Sequence, residues 1–507
     1  MTSIKRRDFV KQCGIGLGAA ITSHYWASSL FGASPSHAFK PGEVNTFGLS
    51  KEDLNSILQT AMSKGGDFAE LYFEYTLSNS VVMSEDIIKN SSESVSLGVG
   101  VRVIKGVQTG YGYTNELTVE KIKETALIAA AIATGSSKAK IADLKEYKPK
   151  IQTYVMDNLV SDKDLQTKIA LIREAYDAAI KHDPKIIKVS SSLADSVQYV
   201  TIANSEGLLI SDVRPQVRLV VNATAEKNGV RGTGNGNDGG RIGFDFYKSV
   251  RSPKSIGEEA ANEALELLEA DFAPAGEYPV VLSRHQSGVM IHEAVGHPLE
   301  GDANWKKQSI MADKMGQMVA SPLITIYDDS TIPHYRGSLN IDDEGVFAEN
   351  APLIEKGKLV GYLHDKLSAK IMNVKPNGHG RRESYESMPI PRMNNTVLAK
   401  GDHAPEEIIS SVKKGFYAKS YQGGMVDNTG KFTFSVNLGY LIEDGKITKP
   451  LKNATLIGSN LQILKDVDMV GNDMGFFLGT CGKDGQSVPV TAGTPSIRIK
   501  KMTVGGV

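Results

Sequence analysis

Cysteine is nearly absent from this chain. Its 507 residues contain two, Cys13 and Cys481, so no disulfide framework can organise it. An excess of one charge is missing as well. Lys and Arg total 57 against 58 for Asp and Glu, a net charge of −1. That balance leaves no electrostatic case for binding nucleic acid or anionic lipid. There is no internal repeat and no low-complexity tract. Beyond the N-terminus, no segment has the unbroken apolar length of a membrane helix. Glycine is abundant, with 50 residues beside 19 prolines, which points to many turns rather than a helical bundle. With 41% hydrophobic and 23% charged residues, the chain is ordinary globular material, long enough for two or more cores.

The first 38 residues read as an address. Arg6 and Arg7 are adjacent, a mildly apolar run follows from Gly14 to Ala33, and Ser36-His37-Ala38 places small residues where a signal peptidase cuts. This is the pattern of a twin-arginine signal cleaved after Ala38, implying a periplasmic or other extracytoplasmic location. His24 and several hydroxyl residues interrupt the run, which makes it a poor permanent span. Cleavage removes Cys13. The mature chain then carries a single thiol in an oxidising compartment, either engaged by a metal or buried and inert.

The rest divides into an N-terminal α+β region, 49–271, and a strand-rich mixed C-terminal domain, 276–507, that carries a short metal-binding helix. Ser50-Lys-Glu-Asp53 predicts a capping box opening a helix that stops at Gly65-Gly66. Thr118 caps an Ala-rich helix to about Ala133, and Ser161 another to about Ile180. Val95, Leu97, Val99, Val101 and Val103 alternate, predicting a strand with one buried face. Gln216 to Thr224 is strand-like, and Ile256 to Ala270 is an amphipathic helix. Pro274 and Gly276 mark the joint. Beyond it, Tyr278 to Leu282, the Lys356-Gly357 hairpin and the alternating Phe432 to Tyr440 run into Asp444-Gly445 are strand signals. Pro405 to Lys414 reads as a helix.

The chemistry concentrates in His292-Glu293-Ala-Val-Gly296-His297. Two residues between the glutamate and the second histidine would put both histidines on one α-helical face. Here there are three, and five steps of roughly 100° from His292 to His297 leave the rings about 140° apart. One ion can reach both only if the turn is widened to π type. Gly296 gives backbone freedom for that, and Pro298 ends the helix. Neutral imidazoles and a thiolate suit zinc, and three protein ligands leave one position open. Glu293, beside a ligand, is placed to act as general base.

Other residues carry weaker signals. His379, Arg381 and Arg382 sit in a glycine-bounded loop and are candidate substrate-binding groups, with an ion pair from His379 to Glu383 as the alternative. His285, His334, His364 and His403 read as surface or hydrogen-bonding residues. Gly234-x-Gly236-x-x-Gly239 fits a dinucleotide fingerprint, but no helix follows it, so a surface loop or interdomain turn is expected there.

Several motifs resemble the TldD/PmbA metalloprotease family. They are His292 to His297 with Leu299-Glu-Gly-Asp302, Ile341-Asp-Asp-Glu-Gly345, Gly380-Arg-Arg-Glu-Ser384, Pro391-Arg-Met393, Val470-Gly-Asn-Asp473, and Gly479-Thr-Cys481 onward to Gly506. The resemblance implies that His292, His297 and Cys481 hold zinc and that Glu293 is catalytic, as in the active TldD-type subunit. It further implies cleavage of unfolded or short peptides, with substrate backbone lying as an added strand. The expected assembly is a homodimer, or a heterodimer with a TldE/PmbA-like subunit. The export signal departs from the cytoplasmic family members. Outside this reading stand a non-hydrolytic peptide-binding or maturation factor with a structural metal, and amide hydrolysis of a small molecule.

Overall fold

A computed structural model describes residues 44–133, 141–154, 160–427 and 429–506. Residues 1–38, read from the sequence as a twin-arginine signal, lie outside the described residues, and Cys13 with them. Among the described residues no helix is long and apolar enough to cross a membrane.

The chain is α+β throughout. Its first sheet is built from long strands: β1 (Phe68–Ser84), β2 (Ile87–Lys105), β3 (Gln108–Thr114), β4 (Lys145–Tyr147), β5 (Ile186–Asn204), β6 (Leu208–Lys227) and β7 (Val230–Gly240), in the order β3-β2-β1-β5-β6-β4 with β7 also on β6. Helices α1 (Lys51–Met62), α2 (Val119–Ala130), α3 (Leu165–Ile180) and α4 (Pro253–Leu268) contribute to one large core with this sheet, including Leu54, Ile122, Ile172 and Ile256. The Ser50–Asp53 capping box forms as expected, and Thr118 caps α2. Helix α3 begins later than Ser161 suggested. Asp164 accepts from Thr167 N–H and is the cap, while Ser161 lies in a preceding 3₁₀ turn.

Alternation along β1 separates two environments. Leu71, Phe73 and Tyr75 join the helix-side core. Tyr72 turns the other way and packs with Val200, Ile202 and Ile210 against Ile341 and Tyr385 of the C-terminal part. The sheet is therefore sandwiched, and β2 is buried on both faces from Gly98 to Ile104. One buried face was expected there. The second is made possible by Gly98 and Gly100, where an added Cβ would overlap the Tyr385 ring and the Tyr111 hydroxyl.

The dinucleotide-like glycines form a strand rather than a loop. On β7, Gly232, Gly234 and Gly236 recur every second residue, and a Cβ at each would collide with the carbonyls of Ala264, Ala260 and Ile256. Helix α4 thus lies directly on the strand backbone, and these glycines form no nucleotide loop.

The C-terminal part has its own core, drawn from Ala273 to Val504, and two main sheets. One contains β8 (Asp271–Phe272), β9 (Gly276–Leu282), β16 (Lys414–Val426), β17 (Lys431–Glu443), β18 (Lys446–Ser459), β19 (Val467–Val470) and β22 (Ile497–Gly505). The other runs β12-β11-β10-β15-β21-β20: Lys358–Leu359, Asn350–Glu355, Ile326–Asp329, Asn395–Leu398, Gln486–Thr494 and Gly475–Lys483. A two-stranded ladder joins β13 (Gly380–Arg381) to β14 (Ile390–Pro391). Both hairpin signals hold, with Lys356-Gly357 and Asp444-Gly445 at positive φ, the conformation of a two-residue hairpin turn. The helix from Pro405 ends at Ser410, short of Lys414. The following residues enter β16, where Phe416 to Ala418 pair in parallel with β9.

Candidate metal centre

The motif helix starts as one α-turn, α5 (Gly288–Ile291). It is anchored on β21, since a Cβ at Gly288 would overlap the Ala492 carbonyl. His292–Gly296 then forms a π-turn, in which the His297 N–H donates to the His292 carbonyl. This is the widening that the five-residue spacing demands. Gly296 has an ordinary helical φ of −57°, so left-handed freedom is not its purpose. A Cβ there would overlap the Met393 sulfur, and Met393 is fully buried beneath the turn. Pro298 does not stop the chain at once. A 3₁₀ turn continues to Leu299, and its Pro298 carbonyl accepts from Asn304 Nδ2 at 2.8 Å.

Cys481 arrives from β20, opposite Val488 of β21. Arg392 fixes that strand by donating to the Cys481 carbonyl at 2.6 Å. His292, His297 and Cys481 thereby present ligand atoms that all lie within 4.8 Å of one another. Cys481 Sγ is 3.3 Å from His297 Nε2. The imidazole rings are 5.1 Å apart and nearly perpendicular. Tetrahedral zinc needs nitrogen and sulfur donors about 3.3–3.6 Å apart, so no pair need close by more than about 1.5 Å. The donor set fits zinc in a further respect. His292 Nδ1 is buried without a hydrogen-bond partner, a condition that costs free energy unless the ring is otherwise engaged.

Electrostatics couple the same residues to one another. Burial raises the Cys481 thiol, but the adjacent imidazoles outweigh it and hold it down at about 4. Burial disfavours a charged His297, yet the Glu300 carboxylate raises it well above the usual histidine value. Glu300 itself is opposed by burial but held at about 2 by His297 and Lys483. The geometry explains this. His297 Nδ1 donates to Glu300 Oε2 at 3.2 Å. Lys483 Nζ lies 3.1 Å from the same oxygen and 2.7 Å from Asp302 Oδ1. Glu300 therefore orients the ring so that Nε2 faces the cluster, and Lys483 holds Glu300. Neither residue was singled out from the sequence as functional, although Glu300 stands three residues after His297.

The cluster forms one wall of an open cleft of about 690 Å³. Glu293 lines it, with Oε2 3.9 Å from His297 Nε2 and 19% of its side chain exposed. The facing wall is Gly423 to Val426 of β16, and apolar groups from Val289, Ile310, Met425 and Phe477 complete it.

The three expected substrate-binding residues are not in this cleft, and that expectation is corrected. His379 is fully buried and pairs with Asp328 at 3.1 Å, not with Glu383. Arg381 donates to the Met393 carbonyl at 2.6 Å. Arg382 crosses to Glu70 of β1 at 2.5 Å and stacks over Tyr72. With Arg102 on Glu344 and Arg214 on Asp343, it ties the two parts of the chain together. Buried guanidiniums need such partners, which is why this loop faces inward.

Two imidazoles and a thiolate gathered beside a carboxylate in an open cleft are the equipment of a metalloenzyme. Family models describe the same class. The PmbA/TldA metallopeptidase domain 1 matches residues 69–133, the central domain 158–268 and the C-terminal domain 275–506. A metalloprotease TldD homolog of Haemophilus influenzae is 41% identical over 467 residues, covering 90% of this chain and 97% of that protein. A zinc metalloprotease TldD homolog of Saccharolobus solfataricus is 27% identical, covering 89% and 99%. Among solved structures, a Thermotoga maritima protein named as a modulator of a DNA gyrase superposes with a TM-score of 0.74 at 23% identity, covering 90% and 100%. TldE from Thermococcus kodakarensis superposes at 0.70 and 18%, covering 90% and 100%. These two establish the fold alone. The chain belongs to the PmbA/TldD metallopeptidase family.

Proposed function

We propose that this protein is a zinc-dependent peptidase acting on unfolded or short peptides, with zinc held by His292, His297 and Cys481. The observation that carries the reading is the π-turn, which brings both histidines to Cys481 at the wall of an open cleft. Zinc in such a site supplies Lewis acidity and lowers the pKa of a water molecule. Glu293 takes a proton from the attacking water and delivers it to the leaving amine, which otherwise departs poorly. Glu300 and Lys483 keep His297 oriented throughout.

Recognition of peptide backbone rests on β16. Strand β9 pairs with it only through Phe416 to Ala418. From Gly423 to Val426 it pairs with β17 alone, and this stretch lines the cleft. An extended peptide laid there gains main-chain hydrogen bonds with little demand on sequence. The β20 side is less available, because Arg336 and Arg392 occupy the Gly479 and Cys481 carbonyls.

Likeness to a TldE structure supports pairing with a TldE/PmbA-like subunit or a second copy, read by native mass. Export by the twin-arginine route rests on the N-terminal pattern and is read by fusing residues 1–38 to a reporter. The test of the activity is chelation followed by zinc add-back on an unfolded peptide. Return of cleavage with one equivalent supports the reading. Zinc uptake without cleavage, with candidate partner present, favours the non-hydrolytic maturation factor instead.

A further inference from the structure

A second feature lies on the first sheet, away from the metal cluster. Strand register sets two rows of side chains side by side on one face. Ser94, Ser78, Ser196 and Gln216 stand in one row across β2, β1, β5 and β6, and Ser92, Ser80, Ala194 and Arg218 in the next. These residues line a groove of about 360 Å³, which Arg336 closes from the C-terminal part.

Its two guanidiniums have no carboxylate. Among the described residues neither Arg218 nor Arg336 makes an ion pair. Arg218 donates once, to Asn237 Oδ1 at 3.2 Å, and its Nε is buried with no partner. Arg336 donates to the Gly479 carbonyl at 3.1 Å and to Thr480 Oγ1 at 3.3 Å, both neutral. Burial, with Arg218 and Arg241 nearby, pulls Arg336 down to about 9. One carboxylate, Asp195, also lines the groove, but its charge is already met. It pairs with Lys168 of α3 at 2.9 Å and accepts from Asn79 at 3.3 Å.

Two like charges held together and half-withdrawn from water are costly unless an anion joins them. Hydroxyl rows beside guanidiniums are donors matched to carboxylate or phosphate oxygens. We propose that the Arg218–Arg336 groove is a binding site for an oxyanion of carboxylate or phosphate type, held by both guanidiniums and the facing serines. Arg336, which closes the groove, also holds the β20 segment that leads to Cys481 through Gly479 and Thr480. The proposal stands independently of the peptidase reading.

Calorimetric titration of the full chain with inorganic phosphate, and separately with acetate, at constant ionic strength tests it. Saturable binding of one ion per chain is expected. Saturation by phosphate alone identifies a phosphate-type ligand, and saturation by acetate also identifies a carboxylate. Arg218→Gln weakens the binding by about 10- to 100-fold, the worth of a charge-assisted contact. Ser92→Glu, at an exposed position, supplies an internal carboxylate and abolishes binding without touching the core. Absence of saturable binding in the wild type overturns the proposal. So does undiminished binding in either variant, each shown by its melting temperature to be folded.

Discussion

Glu300→Gln separates the orientation of His297 from the ligand set itself. In the folded protein Glu300 accepts from His297 Nδ1 at 3.2 Å and from Lys483 at 3.1 Å. Glutamine keeps the size and an acceptor oxygen but removes the charge. The imidazole loses the carboxylate that makes it a better donor to a metal, and Lys483 retains only Asp302 as a carboxylate partner. Loss of such an outer partner typically weakens metal binding by 10- to 100-fold, or about 1.4–2.8 kcal/mol. Competition against a chromophoric chelator at fixed pH measures this directly. Asp302→Asn is the control, since it removes the other partner of Lys483 while leaving the His297 contact. Zinc affinity in Glu300→Gln within threefold of wild type would refute the positioning role.

Four further outcomes follow from the geometry. Cys481→Ser loses tight zinc binding and keeps its melting temperature in the metal-free state to within a few degrees, as metal titration and calorimetry report. Gly296→Ala forces a Cβ onto the Met393 sulfur; stability falls by about 1–3 kcal/mol in urea unfolding, and zinc affinity falls with it. Gly234→Ala meets the Ala260 carbonyl and lowers stability by a similar amount, but zinc stoichiometry in the folded fraction stays at one. Glu300 is held at about 2 against an ordinary 4.5, so its stabilisation is full above about pH 4.5 and is lost as the pH falls towards 2. Melting temperatures of wild type and Glu300→Gln therefore converge across that window, and a constant gap contradicts the assignment.

Much of this architecture was legible because it obeys simple periods. Alternation at Val99, Val101 and Val103 and at Phe432 to Leu438 marked true strands. Positive-φ turns announced their hairpins through Lys-Gly and Asp-Gly. The π-turn was legible from chemistry rather than propensity, since ligands five positions apart on a regular α-helix cannot reach one ion. What stayed hidden depends on contacts distant in sequence. Gly98 and Gly100 look like weak points in a strand until Tyr385 arrives. The β7 glycines mimic a phosphate loop because close approach to a helix backbone and to a phosphate both require the missing Cβ. His379, Arg381 and Arg382 look solvent-facing in a glycine-bounded loop, but their carboxylate and carbonyl partners come from three separate segments. Glu300 could have been found from its place three residues after His297, one turn on. Lys483 could not, because it reaches Glu300 from β20.

The central claim is a zinc site that hydrolyses peptides with Glu293 as base. Metal content and cleavage of an unfolded peptide, measured together on wild type and Glu293→Gln with a TldE-like subunit supplied, test it most directly. The account predicts one zinc per chain in both, with cleavage in wild type only. A wild type that binds no zinc, or a Glu293→Gln variant that cleaves as fast as wild type, would contradict it.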